Sequence, residues 1–427
     1  MNYSKVYAVR QNFPQHTLED IPGTVAQQLA GAGFASRLEP GSSVAIGVGS
    51  RGITNLATIV RAIVAYWNNA GMKPFIFPAM GSHGAATAEG QADVLAHYGI
   101  IEETMGCPVR SSLDVAPVAR TAEGIQTYMD RNAFESHGVM LCGRVKWHTD
   151  FEGPIESGLF KMMAIGLGKF AGAQHYHTFG YKHGLGHTIE SIGRAILGSG
   201  KILGGLAILE DAYHNTAELH ALPVEVMEQR ERELLARVKT WMPRIPMDLD
   251  ILILDEIGKN ISGAGMDTKI VNRGVHGDKN NWHGAPKIQR IFVRDLSELS
   301  YGNASGFGLA DMVTDRLVSH VEWTSTYINA LTSSALPAVK TPIHFASDRE
   351  CLDQLAPSVG KFSKAELRIG WIRNTMELSP IVLTENLIDE IKANPLLEIL
   401  DGPMPLEFDA EGNLSAMLPS APLLASH

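Results

Sequence analysis

The apolar positions of this chain fall into alternating short runs and spaced stripes. Ser43 to Val48 (SVAIGV) reads as a strand, and Leu56, Ile59, Val60, Ile63, Val64 and Trp67 then recur at helical spacing as far as Gly71. A second strand over Pro74 to Ala79 leads into Gly81-Ser82-His83-Gly84, and a helix from Thr87 ends near Gly99. Strand, loop and helix repeated in this order predict a parallel sheet, in which ligands gather at the carboxyl ends of the strands. Val139 to Cys142 reads as a buried strand followed at once by Arg144, Lys146 and His148. A helix over Ile189 to Leu197 closes at Gly198, and Lys201 to Leu209 reads as a further strand. A charged helix over Val224 to Thr240 meets Pro243 and Pro246 before a new strand starts at Asp250, which places a domain boundary near residue 245.

The expected fold is therefore α/β with two domains. Residues 1–245 carry a mostly parallel sheet with flanking helices, and residues 246–427 form a smaller α/β domain, with the active site in the cleft between them. The second domain is expected to hold helices around Leu309 to Val321 and Thr384 to Ala393, and a Pro-rich tail along the surface after Pro403.

Charge and cysteine usage narrow the function classes. A formal charge of −10 without a basic run argues against a nucleic-acid partner. Cys107, Cys142 and Cys351 lie far apart without Cys-x-x-Cys spacing, which fits reduced thiols in a cytosolic protein. The N-terminus lacks a signal-peptide apolar core and no stretch reaches the length of a membrane helix, so a cytoplasmic protein with no membrane partner is expected.

Histidine accounts for 16 of 427 residues, so even spacing would place about two between His137 and His187, where six occur. Within this cluster Lys161 sits among Leu159, Phe160, Met162, Met163 and Ile165, and burial by such neighbours would make its amine a usable nucleophile or attachment point. His175 and His177 would face one side of a strand and diverge on a helix, so their spacing alone names no metal. His83, flanked by small residues, and His148, beside Trp147 and Asp150, are candidates for proton transfer. Arg51 follows a strand and suits a carboxylate or phosphate. The Gly258 to Gly274 loop, with Lys259, Asn260, Asp267, Lys269, Asn272 and Arg273, looks ligand-facing but matches neither nucleotide motif. One reading of these residues is a zinc hydrolase using His148, His175, His177 and a carboxylate such as Asp150.

The order of these pieces resembles the nickel-dependent lactate racemase family, most specifically in RVKWHTDFEGPIESGLFKMM and in Gly81-Ser82-His83. The resemblance implies a nickel-pincer nucleotide, a pyridinium-3-thioamide-5-thiocarboxylic acid mononucleotide, joined covalently to Lys161, with His177 as the protein's nickel ligand. It implies that His83 and His148 are the two catalytic bases, and that Arg51, helped by Lys269 or Arg273, holds the substrate carboxylate. It further implies cofactor-maturation enzymes as partners and inversion at C2 of a 2-hydroxy acid, by a racemase or epimerase, as the reaction. The family's Asp-x-Thr-Arg-Pro stands here as Val48-Gly-Ser-Arg-Gly52, and Gly84 replaces the arginine after the histidine. These departures point to larger or more polar 2-hydroxy acids than lactate. A non-catalytic protein that stores the cofactor is the remaining alternative.

Overall fold

The computed structural model describes residues 3–49, 52–81, 83–280 and 282–415. The chain forms two compact units, Pro14–Met242, and Met1–Phe13 together with Pro243–His427. The opening strand β1 (Val6–Gln11) pairs in the sheet of the second unit, which moves the first thirteen residues out of the domain that the sequence pattern assigns to them.

In Pro14–Met242 the strands are β2 (Ser43–Val48), β3 (Lys73–Pro78), a separate antiparallel pair β4 (Val115–Arg120) and β5 (Gln126–Asp130), then β6 (Gly138–Arg144), β7 (Ile202–Glu210) and β8 (Thr216–Pro223). The main sheet runs β3-β2-β6-β7-β8, parallel except for the last pair. Both of its faces are covered. Val44, Ile46 and Val48 of β2 enter a core with Ile59, Val60, Ile63 and Trp67 of helix Leu56–Asn69. Ala45 faces the opposite core, with Ile189, Ile192 and Ile196 of helix Leu185–Leu197 and Leu234, Leu235 and Val238 of helix Met227–Lys239. Burial on two sides explains why the strands read as continuous apolar runs.

From β2 the chain steps outward to β3 on one side, while β6 lies on the other, so the order reverses beside β2. Val48 pairs with Pro78 on one flank and with Cys142 on the other. Pro78, Val48 and Cys142 thus lie level, β6 runs on two residues to Arg144, and the loops after the three strands start from one edge at a topological switch point.

The second unit contains β9 (Leu249–Ile257), β10 (Ile288–Leu296), β11 (Met312–Thr314), β12 (Ile343–Phe345), β13 (Ile369–Ile372), β14 (Ile381–Thr384) and β15 (Leu397–Met404). With β1 they make an eight-stranded sheet in the order β12-β11-β10-β9-β13-β14-β1-β15, larger than the five-stranded sheet of the other unit. The segment expected to be helical over Leu309 to Val321 splits. Met312 and Val313 pair beside β10, and the Thr314 hydroxyl accepts from the Leu317 amide to start a short helix, Asp315–Ser319. Thr384 ends β14 before helix Ile388–Ala393. In both places tertiary pairing of a β-branched or apolar pair overrides a helical stripe. All three cysteines are free and buried, and burial pushes the Cys142 thiol up to about 12, which leaves no thiolate nucleophile there at neutral pH. Among the described residues no helix is long and apolar enough to cross a membrane.

Because β1 fills the position between β14 and β15, deleting residues 3–12 should expose both neighbours and break the cooperativity of the second unit. Chemical denaturation is expected to show an early transition and a lower midpoint for the truncated chain, while an unchanged single transition would rule out a structural role for β1.

Candidate functional site

The His148 loop is closed at its base and pinned from within. Lys146 and Ser157 exchange main-chain hydrogen bonds of 3.0 and 3.1 Å, and the segment between them carries Trp147 and His148, both at most 9% exposed. The buried Glu156 carboxylate accepts from the His148 and Gly153 amides and from the Lys239 ammonium. One carboxylate therefore fixes both ends of the loop, and the His148 ring stacks on Phe151 at 4.5 Å between centroids.

Lys161 stands on a helical turn that begins at Leu159. The fully buried Glu231 caps it, accepting from the Leu159 amide at 2.9 Å and the Phe160 amide at 3.3 Å. Burial pushes the Glu231 carboxyl up to about 8, against the pull of those amides. After Lys161 the turn widens, with the Leu167 amide donating to Met162 O at 2.8 Å across five residues, a π-turn of the kind that often marks functional sites. This turn lies against the strand ends: a Cβ on Gly143 would stand 2.2 Å from Met162 Sδ, and one on Gly81 would stand 2.9 Å from Ile165 Cγ2. Lys161 and the loops after β3 and β6 therefore share the carboxyl edge of the sheet.

The central contact is Lys161 Nζ to His148 Nε2 at 2.7 Å. On its other side the ring accepts, because the Asp150 amide donates to His148 Nδ1 at 3.1 Å.

Helix Lys169–His183 carries the next two histidines. A helical spacing of two turns the side chains roughly 200° apart, and the structure bears this out. His175 packs edge-on against Phe179 and Tyr128, with centroids 5.1 and 5.9 Å away. His177 instead feels Lys161 and Asp150, and burial is the main cause that holds it below its ordinary value, so its imidazole is neutral and fit to ligate a metal. Among the described residues no group of three or more His, Cys, Asp or Glu side chains is arranged to hold a metal ion.

His83 begins a short turn after β3, and Gly84 follows it with φ +60. A Cβ on Gly84 would stand 2.3 Å from the Gly90 carbonyl carbon, so glycine is required where the resembling family carries arginine. Behind this loop the Gln91 amide donates to Met80 O and Gly81 O, and the wholly buried Lys169 ammonium donates to Gln91 Oε1 at 2.6 Å and Pro78 O at 2.8 Å. Lys169 lies 3.6 Å from Asp130, and burial lowers its pKa to about 8 although the carboxylate opposes this. Its φ of +54 adds backbone strain. Arg51 lies outside the described residues. Just after it Gly52 is gripped on both sides, its amide donating to Tyr98 Oη and its carbonyl accepting from Arg144, which is also paired with Glu210.

In the second unit Lys269 is 3% exposed, with Nζ 5.0 Å from the Trp282 ring centroid. Arg273 is 2% exposed and donates to Asn272 O and Gln289 O, with Asp311 at 3.5 Å. Its guanidinium is thus engaged within its own unit, while its Nε has no hydrogen-bond partner among the described residues.

Glu156, Glu231, Gln91 and Lys169 are the site-forming residues that the sequence reading missed. Lys169, in Gly166-Leu-Gly-Lys-Phe-Ala, shows the same apolar flanking that singled out Lys161. The two glutamates gave no signal, because each acts on main-chain amides remote from itself in sequence or hidden in a loop.

Glu231 makes stability depend on pH in a stated direction. Its folded pKa is raised above the ordinary carboxyl value, so the folded chain binds the proton more tightly, and this contribution is complete below about pH 4 and lost as pH rises through about 8. Melting temperature should therefore fall between about pH 5 and about pH 8 by more in the wild type than in Glu231→Gln, a difference of a few kcal/mol. Parallel curves would exclude a buried titrating Glu231.

No protein-family model and no curated protein sequence matches this chain. Among solved structures it is similar to the lactate racemase apoprotein from Thermoanaerobacterium thermosaccharolyticum, at 12% identity over 83% of this chain and 93% of that one, with a TM-score of 0.47. Values this low assign neither a family nor an activity to the chain.

Proposed function

We propose that the chain inverts the C2 centre of a 2-hydroxy acid, as a racemase or epimerase, using a nickel-pincer nucleotide carried on Lys161. The observation that carries this reading is the 2.7 Å contact between Lys161 Nζ and His148 Nε2 at the carboxyl edge of a parallel sheet. It sets an attachment amine directly beside an imidazole that can exchange a proton with a bound hydroxy acid.

The residues present fit such a cofactor. A group that brings most of its own metal donors needs one protein ligand, and His177 offers a neutral imidazole within the electrostatic reach of Lys161. When bound, the nucleotide would supply a reversible hydride acceptor, chemistry that no side chain provides. His148 and His83 take the hydroxyl proton and return it, and Arg51 holds the carboxylate through a two-pronged pair. Glu156 keeps His148 oriented and the Gln91–Lys169 pair fixes the main chain leading to His83.

The zinc-hydrolase reading asks His148, His175 and His177 to converge, yet His175 packs on Tyr128 and Phe179 while His177 is coupled to Lys161 and Asp150. A storage protein would bind the cofactor without catalysing exchange.

Protein co-expressed with cofactor-maturation enzymes should carry an adduct on Lys161 together with nickel, seen by peptide mass spectrometry and metal quantitation. Lys161→Ala should lose both, and retention of nickel and activity in that variant would sink the covalent anchor. With loaded protein, a panel of 2-hydroxy acids in deuterated water should show stereoinversion for at least one member. His83→Ala should lower that rate by about 100-fold or more, the usual worth of a positioned base.

A further inference from the structure

Lys169, Gln91 and Asp130 form a wholly buried cluster outside the His148 corner. The loop after β3 is held on both sides of His83 by helix Ala88–His97. Before His83, the Gln91 amide donates to Met80 O at 3.3 Å and to Gly81 O at 2.9 Å. After it, Gly84 lies so close to the start of the helix that a Cβ on Gly90 would stand 2.1 Å from Gly84 O. Two carbonyls can only accept, so Gln91 turns Nε2 to the loop and Oε1 to the interior, where Lys169 Nζ donates to it at 2.6 Å. The same ammonium donates to the carbonyl of Pro78, the last residue of β3, at 2.8 Å.

Lys169 reaches this network from the other half of the candidate site. It is the first residue of helix Lys169–His183, which carries His177, and it follows the π-turn that begins after Lys161. Its φ of +54 joins the two, a conformation strained for any residue with a Cβ and kept only where the surroundings impose it. The junction is braced from β5, where the Asp130 amide donates to Leu167 O at 2.7 Å and the Tyr128 amide to Tyr176 Oη at 2.8 Å. Within this frame the ammonium stands 3.6 Å from Asp130 Oδ2, which has no hydrogen-bond partner among the described residues, and gives its short bonds to Gln91 and Pro78. A pair built only to neutralise a buried charge would close to about 2.7–2.9 Å. Here the carboxylate balances the charge from a distance, and the donors go to the approach to His83.

We propose that Lys169 is a positioning residue that sets His83 in register with the segment carrying Lys161 and His177. Its main chain joins the Lys161 turn to the His177 helix, and its side chain holds the Gln91 amide that grips the His83 loop, so a displacement of either half is transmitted through one ammonium. The inference rests on the reading of His83 as a base beside a cofactor held by Lys161 and His177, and it names what fixes their separation. Lys169 is wholly buried and acts through Gln91.

The test is hydrogen–deuterium exchange of the full chain, purified without cofactor and followed by mass spectrometry, in Gln91→Glu and in the double variant Lys169→Met with Asp130→Asn. A carboxylate at position 91 still accepts from Lys169 and offsets its charge, yet donates nothing to Met80 O or Gly81 O. The double variant removes the ammonium without leaving Asp130 as an unpaired buried charge. Amides of residues 79–87 should exchange about tenfold faster in both, which is what the loss of one charged or two neutral hydrogen bonds is worth. Amides of helix Leu185–Leu197 should keep their wild-type rates within about twofold. In cofactor-loaded protein kcat should fall by about tenfold with KM within about twofold, because the base is displaced and substrate binding is not. Wild-type exchange over 79–87 in either variant overturns the proposal, and so does a rise shared equally by helix Leu185–Leu197, the result a merely structural pair would give. Unchanged kcat in variants whose loop exchanges faster also overturns it. Failure of this inference is separable from failure of the function proposed above. Faster exchange confined to 79–87 supports the register role even where co-expression yields no Lys161 adduct, and an adduct with wild-type exchange overturns that role alone.

Discussion

The shared register of β3, β2 and β6 at the carboxyl edge of the sheet is the constraint on which the rest of the candidate site depends. These strands are apolar on both faces, so a slip of one residue would exchange two complete sets of core contacts and not merely turn one face outward. Register is thus fixed from two sides, and with it the points at which the loops carrying His83 and His148 leave the sheet. The π-turn after Lys161 can lie across this edge only because Gly143 and Gly81 lack a Cβ where Met162 and Ile165 arrive. The precision of the site is inherited from core packing, and the loops add little freedom of their own.

Around this edge the chain buries polar groups that a purely structural unit would avoid. Glu156 and Glu231 are sealed from water, and each offsets its desolvation by accepting from main-chain amides that would otherwise be orphaned. Lys169 is held in a left-handed backbone conformation with its ammonium shared among Pro78 O, Gln91 and Asp130. Removing any one partner leaves an uncompensated buried group, which costs more than the intact network contributes. All three devices grip segments that carry Lys161, His148 or the approach to His83. Strain and buried polar groups are thus concentrated around the segments that carry Lys161, His148 and His83.

Much of this was legible in the sequence, for identifiable reasons. The strand over Ser43 to Val48 and the helix that follows it announce themselves because two-sided burial and helical periodicity leave strong local patterns. The clustering of histidines and the apolar flanks of Lys161 pointed to the stretch in which Lys161 and His148 come into contact. What stayed hidden was long-range. Nothing near Val6 says that it pairs with Thr384 and Met404. The His175–x–His177 spacing had two readings until the helix separated the rings. Sequence does not show the Asp311 carboxylate and the carbonyl groups that Arg273 meets in its glycine-rich loop. Glu231 acts on a turn some seventy positions earlier in the chain.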